Sequence, residues 1–128
     1  MYGYKLGLKS SGVSTPIAPA ISSVTISGTA AVGQTLTATA SGVTGSPTPT
    51  LSYQWKRGAT NIGTNSSTYT LVAADAGNTS NITCVVTATN SAGSANATSN
   101  TIAQILTVRT SAFLTASAIS DATIRGGL

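Results

Sequence analysis

From Ile21 onward, apolar and polar residues alternate with a period of two, the spacing of β-strands that bury one face. VTISGTA predicts a first strand, with Gly28 and Gly33 bounding the turn that follows. In GQTLTATASG, Leu36, Ala38 and Ala40 share one face, while Thr35, Thr37 and Thr39 share the other. Pro47 and Pro49 in GSPTPT cannot donate to a central ladder, so a loop is expected there. LSYQWKR sets Leu51, Tyr53 and Trp55 against Ser52, Gln54 and Lys56. RGATNIG reads as a hairpin leading to a short edge strand around Ile62, and STYTLV as a further strand. AADAG is a turn with the composition to close as one helical turn. ITCVVTATN alternates Ile82, Cys84, Val86 and Ala88 with Thr83, Val85, Thr87 and Thr89. NSAG then turns the chain, and a last strand is expected between Ser94 and Leu106.

About seven short strands at turn-punctuated intervals favour an antiparallel β-sandwich over a helical bundle. The sandwich is expected over residues 21–106. Residues 1–20, with Gly3, Gly7, Gly12, Pro16 and Pro19 and no sustained period, read as an N-terminal arm. Residues 107–128 read as a C-terminal arm.

Composition narrows this picture. Hydrophobic residues are 41% of the chain but aromatics only 5%, so Val, Ile, Leu and Ala must build the core. Charged residues are 6%, against about 25% in an ordinary soluble domain, which leaves Thr, Ser, Asn and Gly to face water. The net charge of +4 comes from Lys5, Lys9, Lys56, Arg57, Arg109 and Arg125, scattered along the chain. A nucleic-acid site would cluster such residues, so no nucleic-acid partner is expected. Lys56 and Arg57 are adjacent and read as solvated charges at a hairpin end. No stretch approaches the roughly 20 apolar residues of a membrane span, and the first residues lack the apolar run of an export signal. Cys84 has no second cysteine to pair with.

The runs VGQTLTATASG, LSYQWKRG, STYTLVAADAG and CVVTATNSAGSA together resemble the bacterial and phage immunoglobulin-like repeats of surface and virion proteins. The similarity extends from near Ser22 to near Thr101. It implies an immunoglobulin-like sandwich with Trp55 as the central indole, Tyr53 beside it and Val86 in the core. It also implies Cys84 on a sheet facing that indole, opposite Leu36 or Ala38, where an apolar contact replaces a disulfide. Ile82 stands where a corner tyrosine is common, and AGNTSNIT, between Asp75 and Cys84, is expected to bulge.

Catalytic chemistry lacks its parts. The chain has no His, and its acids are Asp75 and Asp121, in different regions. Neither a nucleophile–base pair, a carboxylate dyad, a zinc site nor a calcium site is expected, nor any cofactor. Cys84 sits among Ile82, Val85 and Val86, with no base or cation beside it, and reads as core. Tyr53 and Trp55 share their face with Leu51 and read as packing rather than as a sugar-stacking platform. Sequons at Asn65, Asn78, Asn81 and Asn96 read as part of a Ser/Thr/Asn-rich surface.

The arms carry the remaining signal. Tyr2, Tyr4, Leu6 and Leu8 alternate with Gly and Lys, a pattern suited to adding a strand to another sheet's edge. Phe113, Leu114, Ile119 and Ile124 make the C-terminal arm apolar-rich. The expectation is a structural virion protein of a tailed bacteriophage, a capsid decoration or a neck or tail accessory. Its partners would be other virion proteins, symmetric copies of itself and, weakly, host-surface glycans. The alternative is a fragment of a bacterial cell-surface adhesion or carbohydrate-binding module.

Overall fold

Alternating Thr and aliphatic residues suit a pleated surface with one dry face, and the chain folds into antiparallel sheets of that kind. A computed structural model describes residues 14–77 and 81–107. The strands are β1 (Ile17–Ala20), β2 (Ser23–Ser27), β3 (Thr35–Ser41), β4 (Thr44–Ser46), β5 (Thr50–Arg57), β6 (Thr60–Ile62), β7 (Thr68–Thr70), β8 (Ile82–Asn90) and β9 (Gly93–Thr98). A short 3-10 turn, Ala73–Asp75, follows β7.

One sheet has the order β9-β8-β5-β6 and the other β2-β3-β7, with β1 and β4 forming a two-stranded ribbon. The two larger sheets close a sandwich. Val24, Ile26, Leu36 and Ala38 come inward from one side, and Trp55, Ile82, Cys84 and Val86 from the other. Leu71 and Ile105 complete the cluster, with Leu51, Tyr53, Ile62 and Tyr69 packed around it.

Several expectations shift. Ordered strand begins at Ile17, inside the segment read as an arm, because Ile17–Ala20 pairs with Thr44–Ser46. Asn90 secures this ribbon by donating to the carbonyls of Ile17 and Pro47, each at 2.8 Å. The stretch read as a proline loop therefore opens with a short strand, and only Pro47 to Pro49 leave the ladder. Cys84 does not sit on a sheet facing Trp55. The two are cross-strand partners in one sheet, paired in the β5–β8 register, while Leu36 and Ala38 lie on the opposite sheet. The difference is one of topology: alternation assigns a residue to a face, not to a sheet.

The last strand is longer than its regular part. Thr98 pairs with Val85, but Ile102 pairs with Ile82, so one extra residue is absorbed between them. At this bulge Cys84 N donates to Ser99 Oγ and Ser99 N to the Cys84 carbonyl, both at 2.9 Å. Asn100 is thereby turned toward the other sheet. Its Oδ1 accepts from Ile26 N at 2.7 Å and its Nδ2 donates to Ile26 O at 3.3 Å. A side-chain amide thus stands in for a neighbouring strand on the free edge of β2. Beyond it, Ile105 is buried and Leu106 runs parallel to Ala31.

Candidate functional site

Among the described residues, Asp75 is the polar residue buried completely, at 0% exposure. The 3-10 turn points its carboxylate inward, under the start of its own turn. Oδ2 accepts from Val72 N at 2.8 Å and from the Tyr69 hydroxyl at 2.9 Å. Oδ1 accepts from Arg57 Nε at 2.8 Å and lies 2.7 Å from an Arg57 terminal nitrogen. Asp75 raises the Arg57 pKa above its ordinary value through this hydrogen bond. Burial pushes the Tyr69 phenol upward, and its bond to Asp75 adds to the shift. Four contacts occupy the carboxylate, so it has neither a spare lone pair aimed at solvent nor room for a substrate. This is a structural buried ion pair.

Arg57 is not the solvated charge that its adjacency to Lys56 predicts, because it pairs with the buried Asp75. The alternation along β5 places Arg57 on the same face as Trp55, and Lys56 on the opposite face. Lys56 donates outward to Asn61 at 2.8 Å, while Arg57 turns in to Asp75. The signal lay in the parity of the strand.

Trp55, Tyr69 and Cys84 form the wall beside this pair. Trp55 is at 0% exposure and its indole N–H donates to the Ser66 carbonyl at 2.8 Å. Its ring stacks on Tyr69 with centroids 5.5 Å apart and planes inclined by 28°. Cys84 is equally buried, and desolvation pushes its thiol up to about 11, away from the thiolate that nucleophilic chemistry needs. Leu36 and Val86 are likewise at 0% exposure, and Tyr53 is half-buried. No aromatic platform faces water along β5.

The outer faces are polar and nearly free of charge. On the β2-β3-β7 sheet, Ser23, Thr25 and Ser27 align with Ser41, Thr39 and Thr37, and Thr35 and Thr37 with Thr70 and Thr68. All of these are exposed. Thr35 and Thr70 share a hydroxyl–hydroxyl bond of 3.1 Å. On the β9-β8-β5-β6 sheet, Ser52, Gln54 and Lys56 align with Thr87, Val85 and Thr83. Among the described residues no group of His, Cys, Asp or Glu is placed to hold a metal ion, and no helix is long and apolar enough to cross a membrane.

Tyr2, Tyr4, Leu6, Leu8, Phe113, Leu114, Ile119 and Ile124 lie outside the described residues, as do Asp121 and residues 78–80 in the middle of AGNTSNIT, the stretch expected to bulge. Comparisons with protein-family models, curated proteins and solved structures return no match to this chain.

Proposed function

We propose that this chain is a structural module that displays and assembles rather than catalyses: a virion protein of a tailed bacteriophage whose immunoglobulin-like sandwich is carried on the particle and held by the terminal segments. The observation that carries this reading is the fate of the reactive side chains. Asp75 is saturated by Arg57, Tyr69 and Val72, and Cys84 is sealed between strands, so the chemistry-bearing groups of the sandwich go into holding it together. The similarity of four sequence runs to bacterial and phage repeats supports the phage assignment. The period-two apolar stretch from Tyr2 to Leu8 supports anchoring by strand addition. Weak contacts of that kind become effective when symmetric copies multiply them.

The experiment is mass spectrometry of purified particles from cells producing the chain, alongside a variant lacking residues 1–10 and 114–128. The full chain should co-purify with particles and the variant should not. Equal incorporation of both removes the anchoring role, and absence of the full chain from particles removes the virion role.

A second reading, a bacterial surface adhesion or carbohydrate-binding module, draws on the Ser/Thr face of β2-β3-β7, which offers hydroxyl donors and acceptors without charge. Retention of the sandwich on a glycan array, lost on replacing Thr25, Thr37 and Thr39 by Lys, favours that reading over the first.

A further inference from the structure

At the end of the sandwich where the described chain stops, apolar surface is held open by backbone bonds. Leu106 N donates to Ala30 O and Val32 N to Leu106 O, each at 2.9 Å, so the residue is fixed in the ladder while 64% of it stays exposed. Gly33 N, on the same segment, donates to Leu71 O at 2.8 Å, and the next residue, Val72, is 46% exposed. Between Leu106 and the turn at Gly77 lies a shallow depression of about 390 Å³ lined by Gly77, Gln104, Ile105, Leu106 and Thr107. That volume falls at the low end of ligand-sized clefts, about 300–1,000 Å³.

Gln104 is the non-glycine residue at positive φ among the described residues, at 57°. A left-handed residue with a side chain is disfavoured and persists where surrounding structure demands it. Immediately after Gln104, Ile105 is buried and Leu106 faces out, as successive residues of an extended segment do.

We infer that the depression beside Leu106 is the seat of the chain's own C-terminal segment, with Phe113 and Leu114 as the seated residues. Thr107, the last described residue, lines the depression. Phe113 follows six positions later, and six residues reach at most about 20 Å when extended. That is enough to turn back onto Leu106. The seat carries no charged side chain, and the stretch from Thr110 to Ser120 brings none to it. An apolar pair joined to the seat by so short a link meets it at high effective concentration. The inference stands whether or not the chain belongs to a virion.

Phe113 is the chain's sole phenylalanine, so 4-fluorophenylalanine labels one site in the full-length protein. Its fluorine resonance in the native chain should be displaced from its position in urea, independent of protein concentration over a hundredfold dilution. Leu106→Ser should return it to the urea position. The emission of Trp55 reports whether the variant is folded, and Leu106 contributes little to the core at its exposure. Should Leu106→Ser unfold the chain, Phe113→Ser read through a methyl-labelled Leu106 makes the same test from the other side. A native resonance at the urea position overturns the inference, as does one unmoved by Leu106→Ser. A displacement that vanishes on dilution assigns the seat to a second copy and overturns it equally.

Discussion

Replacing Asp75 with Ala tests whether its carboxylate is a fastener or a working group. The substitution strips partners from Arg57, the Tyr69 hydroxyl and Val72 N at once. Breaking a buried pair by removing one member costs about 3–5 kcal/mol. The Arg57 side chain is 25% exposed and can return to water, which sets the expectation near the lower bound, about 3 kcal/mol. Tyr69→Phe removes a single charge-assisted bond and should cost about 1.5–3 kcal/mol. Because these groups share one carboxylate, Arg57→Met combined with Asp75→Ala should cost little more than either alone. That is a coupling of at least about 1 kcal/mol. Against a total stability of about 5–15 kcal/mol the losses are large, and Asp75→Ala should lower Tm by at least about 12 °C. Urea denaturation followed by the emission of Trp55, the sole indole, measures all of them. A carboxylate kept for chemistry behaves otherwise, since replacing a functional group commonly leaves stability unchanged or raises it. An Asp75→Ala variant as stable as the parent refutes the structural assignment.

Three further outcomes are expected. Cys84 should resist thiol reagents until the protein unfolds. Its raised folded-state pKa means the protonated form is favoured in the fold, so its contribution is full below pH 9 and is lost as pH rises toward about 11. Cys84→Ala should flatten that part of the alkaline decline, and an unchanged slope counts against the assignment. Asn100→Ala should cost about 1–2 kcal/mol and speed hydrogen exchange at the Ile26 amide, its partner at 2.7 Å. Unaltered protection of that amide rules out the staple. Gly63→Ala sets a Cβ 2.9 Å from the Tyr69 ring at a φ of 69°. It should cost about 1–2 kcal/mol and change the near-ultraviolet signal of the Trp55–Tyr69 stack, whereas a neutral result contradicts the tight approach.

The alternation of side chains along each segment was enough to specify faces. Leu36 with Ala38, Leu51 with Tyr53 and Trp55, and Ile82 with Cys84, Val86 and Ala88 are inward sets readable from a period of two, because successive strand residues point to opposite sides. The same parity places Arg57 inward, although adjacency to Lys56 suggested a solvated pair. The absence of His and Glu and the single Cys were equally plain, and they limit chemistry before any fold is known.

Tertiary structure decided what no local pattern encodes. That Trp55 and Cys84 are neighbours in one sheet depends on which strands pair, and pairing is a matter of long-range closure rather than of periodicity. Ile17–Ala20 became strand because Thr44–Ser46 offered it an edge. Asp75 became the buried centre of a network because the turn after β7 carried it to Arg57 from a distant strand. Asn100 is one polar residue among many in its stretch of sequence. Only a bulge of one residue, absorbed in the last strand, brought its amide to the open edge of β2, since hydrogen bonds between sheets are set by where closure leaves unpaired groups.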